Sequence, residues 1–201
     1  MIVVGITGNL ASGKSEAARI FKRRGARIFD ADQAAKKVVR VGMPAYQAIA
    51  KLFGKDYLQT NRSLDRKKIA EHVFSCPRDL KKLNTLIHPA VILECFKTIE
   101  RSKKKSGILV LDVPLLFESK MENLVHWTVV IDSSFKNIIK RTKKNGLSEK
   151  LTRKILATQW PCARKMKHAD FVIENNGTLK ELEKKVWEVM ENIKNKVDYA
   201  D

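Results

Sequence analysis

Eight consecutive residues, Gly8-Asn9-Leu10-Ala11-Ser12-Gly13-Lys14-Ser15, fit the spacing GxxxxGK[ST]. Chemistry on phosphate asks for those residue types in that order. Glycines let the backbone curl until successive N–H groups face one anion, and a helix starting there adds the positive end of its dipole. The Lys14 ammonium can reach the outer phosphates, where it stabilises charge in the transition state, and the Ser15 hydroxyl is an oxygen ligand for Mg²⁺. The pattern has meaning only between a strand and a helix. Ile2-Val3-Val4-Gly5-Ile6-Thr7 reads as a buried strand, and Lys14 to Arg24 reads as a helix stopped by Gly25. The spacing therefore predicts a nucleoside triphosphate site with Mg²⁺.

Acids at strand ends come next, because ligands of parallel sheets gather at the carboxyl ends of the strands. Asp30-Ala31-Asp32 closes a second predicted strand, Arg27-Ile28-Phe29. One of these carboxylates is placed to take a proton from an attacking hydroxyl or to hold a Mg²⁺-bound water. Strand alternation sends the two side chains opposite ways, and capping of a following helix by Asp32 is the competing use. Asp112 ends a third strand, Ile108-Leu109-Val110-Leu111, where a water-mediated contact to Mg²⁺ competes with a plain turn role. His88-Pro89 falls between two helical stretches, with proline favouring a helix start.

Residues 136–168 carry eleven Lys or Arg against the single acid Glu149. Arg141, Lys143, Lys144, Arg153, Arg164 and Lys165 there predict a mobile basic lid over the phosphates. The arginines suit it best, since a guanidinium fork matches phosphate oxygens.

These residues need a frame. Thr128-Val129-Val130-Ile131 and Phe171-Val172-Ile173 are two further strands, the last closed by the turn Asn175-Asn176-Gly177. Thr178 and Glu181 form a capping box for a final helix with an apolar stripe at Leu182, Val186, Val189, Met190 and Ile193. Strands alternating with helices predict an α/β fold, a doubly wound five-stranded parallel sheet. Two helical insertions interrupt it. The expected organisation is a nucleotide-binding core at 1–33, 105–140 and 166–201, a helical substrate domain at 34–104, and a lid at 141–165.

At 201 residues the chain supports one well-buried domain. The lack of a spanning apolar run or a leader at the start predicts a cytoplasmic protein without membrane contact. Three cysteines with no CxxC pair argue against a disulfide framework or a zinc site. The net charge of +18 favours polyanions, either nucleic acid or a substrate rich in phosphate. A nucleotide-dependent nucleic-acid binder is thus an alternative, although no RNP, KH or zinc pattern accompanies the charge.

Taken together, the loop at Gly8 to Ser15, Asp30-Ala31-Asp32, Leu64-Asp65-Arg66, His88-Pro89, Val113-Pro114-Leu115-Leu116-Phe117-Glu118, Arg141, Gln159, Lys165, Ala169-Asp170 and Asn176-Gly177 resemble the dephospho-coenzyme A kinase family over nearly the whole chain. The resemblance implies transfer of the γ-phosphoryl of ATP to the ribose 3′-hydroxyl of dephospho-CoA. It implies Asp32 as general base and, with Arg66, His88 and Pro89, as a contact for dephospho-CoA. Lys14 and Arg141 would serve catalysis, Gly8 to Glu16 with Arg141 and Asn176 would bind ATP, and Ser15 with Asp112 would serve Mg²⁺. The expected partners are small molecules only, and the expected state a monomer or weak homo-oligomer. A kinase of the same architecture acting on another acceptor, such as a nucleoside monophosphate, is the nearest alternative. The family loop usually reads GGIGSGKS, so Asn9, Leu10 and Ala11 depart from it. Glu16 adds a negative charge, and Lys144 stands where a second lid arginine is expected.

Overall fold

The apolar run at the start of the chain forms β1 (Ile2–Thr7), and the computed structural model, which describes residues 1–198, sets it in the middle of a five-stranded sheet. In chain order there follow α1 (Lys14–Arg23), β2 (Arg27–Asp30), α2 (Ala31–Val38), α3 (Pro44–Phe53), α4 (Arg66–Val73), α5 (Pro77–Ser102) and β3 (Ile108–Asp112). The chain closes with β4 (Trp127–Asp132), α6 (Phe135–Lys144), α7 (Glu149–Ala157), α8 (Cys162–Lys167), β5 (Phe171–Glu174) and α9 (Leu179–Asp198). The strand order is β2-β3-β1-β4-β5. Parallel ladders pair Ile6 with Asp112 on one side and with Val129 on the other. The order reverses beside β1, so a crevice opens at its carboxyl end, where the phosphate-type loop begins.

Residue alternation along β1 decides which face packs where. Val4 and Ile6 join Ile20 and Phe21 of α1 and Val186, Met190 and Ile193 of α9 in one buried cluster. On the other face Gly5 leaves room for Leu116, whose Cδ2 lies 2.8 Å from where a Cβ would stand. Both faces are covered, which is why the central strands are apolar without interruption. The predicted cap of α9 forms, with Thr178 Oγ1 accepting from the Glu181 N–H at 3.3 Å.

Two compact units result, one of Met1–Phe29 with the chain from Arg101 on, the other of Asp30–Glu100. Residues 141–165 fall within the first of these.

Two sequence expectations change in the second unit. Asp30, not Asp32, caps α2, its side chain accepting from the Gln33 N–H at 2.9 Å. Asp32 is therefore an exposed residue in the first helical turn, and strand alternation does not govern the pair. His88-Pro89 is not a helix boundary either, because Pro89 lies inside the 26-residue α5. Proline there removes a donor and crowds the carbonyl of Thr85, at a cost of about 3 kcal/mol. Burial of Val91 and Cys95 just beyond carries the helix through.

Where α4 meets α5, the His72 ring packs edge-on against Phe53 and Tyr57, at 5.7 and 5.6 Å between centroids. Its Nε2 meets the Asp79 carboxylate at 2.9 Å. Hydrogen bonds from His72 first, then Lys82 and Cys76, hold the Asp79 carboxyl down at about 2.

Candidate active site

The loop after β1 delivers the chain into α1 through Gly13, which caps the helix at φ 103° in the left-handed region. Only glycine takes that conformation without strain. Space is short as well: a Cβ on Gly13 would run into the Asn175 amide, and one on Gly8 would stand 2.6 Å from Ser12 Oγ. Gly13→Ala should lower stability by about 2 kcal/mol, from a left-handed alanine plus displacement of Asn175. It should weaken ATP about tenfold, the equivalent of roughly 1.4 kcal/mol, as read by denaturant titration and ATP-binding calorimetry.

Lys14 and Asp112 are both nearly buried and form an ion pair. The lysine of the loop and the acid at the end of the neighbouring strand thus neutralise each other. Asn9 Oδ1 and Ser12 Oγ lie buried without a hydrogen-bond partner among the described residues. Buried polar atoms are seldom left so, and a pair of them in a loop of this shape fits a loop that awaits a polar ligand. Ser15 is exposed at the start of α1. Glu16 turns its carboxylate along the helix to Arg19 at 3.0 Å and Arg23 at 3.7 Å, so its charge is matched within α1.

Arg141, on α6, reaches back to the loop. Its Nη1 donates to the carbonyls of Ala11 (3.1 Å) and Ser12 (3.0 Å) and to Ser133 Oγ (3.2 Å), and its Nη2 donates to Asn175 O (2.9 Å). Burial pulls the guanidinium below its ordinary pKa, yet an arginine stays charged at physiological pH. Because a trans peptide points C=O and N–H opposite ways, tying these carbonyls from one side turns the Ser12 and Gly13 N–H groups to the other, and the Ser12 N–H donates there to Asn9 O at 3.0 Å. Gln159 completes the collar, its Oε1 accepting from the Leu10 N–H at 3.0 Å.

Asn176, expected among the ATP contacts, accepts through Oδ1 from the Ser134 N–H at 2.7 Å. Its neighbour Asn175 is the residue on the loop, donating through Nδ2 to Ser12 O at 2.8 Å. Extending the two-residue alternation of β5 from Ile173 inward to Asn175 would have found it.

Besides Arg141, the basic residues read as a mobile lid divide into three groups. Lys165 is wholly buried, with Nζ 2.9 Å from Glu118 and 3.0 Å from Pro114 O, so it belongs to the frame and is no free lid cation. Glu118 also accepts from the Trp160 N–H at 2.8 Å, which explains why an acid ends the Val113-to-Glu118 segment. Arg153 pairs with Glu149 and lies over Phe135, and Arg164 lies 3.5 Å over the Trp160 ring. Lys143 and Lys144 are exposed at the end of α6.

In the second unit Arg66 donates to Lys36 O at 3.0 Å and borders two recesses. One is an apolar cavity of about 300 Å³ lined by Ile49, Leu64, Val73, Leu83 and Ile87. The other is polar, with Arg40, Asp65 and Lys67. Of the four expected dephospho-CoA contacts, Asp32, Arg66, His88 and Pro89, Arg66 alone lines these recesses among the described residues. Burial lowers the pKa of His88, so at neutral pH its imidazole is uncharged and offers a hydrogen bond rather than a cation.

A parallel sheet whose central strand runs into a loop of this form, with a buried lysine and acid beside it, defines a P-loop kinase. The chain belongs to the dephospho-CoA kinase family, whose model matches residues 2–181. A relative named dephospho-CoA kinase from Geobacillus kaustophilus is 39% identical, the match covering 94% of this chain and 98% of the relative. The solved dephospho-CoA kinase from Campylobacter jejuni is 27% identical, with a TM-score of 0.70 over 95% of this chain and 96% of that one. The shikimate kinase from Acinetobacter baumannii is 14% identical, with a TM-score of 0.53 over 98% of this chain and 94% of that one, and shares the fold alone. The family uses ATP for the last step of coenzyme A biosynthesis, a phosphoryl transfer to an alcohol.

Proposed function

We propose that in this chain Asp32 is the base that receives the proton of the dephospho-CoA ribose 3′-hydroxyl as it attacks the γ-phosphorus of ATP. Lys14 leaves Asp112 for the phosphates and stabilises the charge that builds on the transferring group. Gly8 to Ser15 hold the phosphates, with Arg141 keeping the loop in shape. Lys143 and Lys144 supply further positive charge from the 141–165 segment. The helical unit receives dephospho-CoA: Arg66 offers a fork to its phosphates, and the adjoining apolar cavity offers burial to its arm.

Oxygen donors of the kind Mg²⁺ takes are present, since Asp112 offers a carboxylate once Lys14 turns away and Ser15 offers an exposed hydroxyl. Bound there, Mg²⁺ would neutralise part of the phosphate charge. No helix among the described residues is long and apolar enough to cross a membrane. Three free thiols agree with work in the reducing cytoplasm.

The observation that carries this reading is the buried pairing of Lys14 with Asp112 beneath a loop that keeps two polar atoms unpartnered. Purified protein with ATP and Mg²⁺ should consume ATP fastest with dephospho-CoA, forming CoA and ADP, in competition with nucleoside monophosphates. No ADP above background with dephospho-CoA would sink the reading, and faster turnover of a monophosphate would reassign the acceptor.

A further inference from the structure

The residues at the junction of α4 and α5 have no task in the reaction above. His72 lies in the last turn of α4, Cys76 precedes α5, and Asp79 lies in the first turn of α5. Their ligand atoms, His72 Nε2, Cys76 Sγ and an Asp79 carboxylate oxygen, all lie within 4.8 Å of one another, and all three residues are half-buried.

We propose that His72, Cys76 and Asp79 form a site for a thiophilic divalent cation of the zinc class, with water as fourth ligand. Imidazole, thiolate and carboxylate are the ligand types zinc takes, at about 2.0–2.3 Å from the metal. Ligand atoms on a tetrahedral zinc with those bond lengths stand about 3.3–3.6 Å apart. The 2.9 Å contact of His72 Nε2 with Asp79 Oδ2 therefore need open only slightly, and the remaining separations, all within 4.8 Å, need close by about an ångström. One soft ligand and one imidazole select zinc over Mg²⁺, which prefers an all-oxygen octahedron, so the Mg²⁺ of a kinase assay does not compete.

The surroundings orient these donors as metal ligands are usually oriented from outside. Lys82 holds Asp79 Oδ1 at 3.0 Å, leaving Oδ2 turned to His72 Nε2. Phe53 and Tyr57 fix the plane of the imidazole. The Cys76 carbonyl accepts from the N–H groups of Asp79 and Leu80, each at 3.0 Å, which anchors the backbone beneath the thiol. On binding, the thiol proton passes to water and the imidazole carries its proton on Nδ1. The other two cysteines are poor rivals, because burial pushes Cys95 and Cys162 to about 12. Sequence spacing gave no sign of this site, since it is built from one cysteine and two residues of other types.

An occupied site would clamp the end of α4 to the start of α5 and raise the melting temperature with the logarithm of free Zn²⁺ above its Kd. The test is a Co²⁺ titration of chelator-treated full-length protein. One equivalent should bind with a thiolate-to-cobalt charge-transfer band, and Zn²⁺ should abolish the band by displacement. Cys76→Ser should remove the band and weaken Zn²⁺ by about 100-fold or more, while leaving turnover with ATP and Mg²⁺ unchanged. Wild-type protein gives a reading free of folding effects: Zn²⁺ should protect Cys76 from alkylation, mapped by mass spectrometry. The proposal is overturned by a wild-type titration without the band, by a band that survives Cys76→Ser, or by equal alkylation of Cys76 with and without Zn²⁺.

Discussion

Asp32→Asn is expected to lower kcat by about 10²–10⁴-fold, the usual contribution of a positioned general base, while ATP binding stays within about threefold, inside 1 kcal/mol. Asparagine keeps the size of the side chain but loses the negative charge and with it the ability to take a proton. The first turn of α2 favours a carboxylate at this position, because the unpaired N–H groups there carry partial positive charge. Asp30 provides the internal control. Its side chain caps α2 through the Gln33 N–H, a role that asparagine fills about as well. Asp30→Asn should therefore leave kcat within about twofold of the parent. Single-turnover assays with ATP, Mg²⁺ and dephospho-CoA separate the two variants. The opposite ranking would move the base to Asp30 and refute the assignment to Asp32.

Lys14→Met should act on two quantities at once. Turnover should fall by about 10²–10³-fold, as when one preorganised donor to the transition state is removed. Stability should also fall, by about 3–5 kcal/mol, because the buried Asp112 loses the Lys14 charge it pairs with. Adding Asp112→Asn to Lys14→Met should return much of the lost stability and none of the lost rate. Denaturant unfolding reads the first and product formation the second. If the double variant is no more stable than Lys14→Met alone, the pair is not what makes Lys14 costly to remove.

Much of the frame is legible in the residues themselves. Apolar runs mark β1, β3 and β4, the last two ending in aspartates, and GxxxxGK[ST] marks the junction of β1 with α1. Helix α1 stops at Arg23, one residue before the expected end, with Gly25 in the left-handed region beyond it. Local reasoning fails where distant burial outweighs a local signal. Pro89 is a helix breaker by propensity, yet α5 runs through it. Lys165 reads as a solvated cation on a basic stretch until Glu118, 47 positions earlier in the chain, is brought against it. The bonds that shape the phosphate loop are the least legible, because Arg141 and Asn175 lie about 130 and 160 positions from the carbonyls they hold. No periodicity within one element encodes such a pairing.

Ala11 sits in the left-handed region at φ 56°, which costs a residue with a Cβ about 1–2 kcal/mol. The loop nonetheless keeps that shape, and the Arg141 guanidinium on the Ala11 and Ser12 carbonyls helps to hold it. On the function proposed above, nucleotide capture would be docking onto a surface already shaped rather than the ordering of a flexible one, and selectivity among anions would fall to the spacing of the donors.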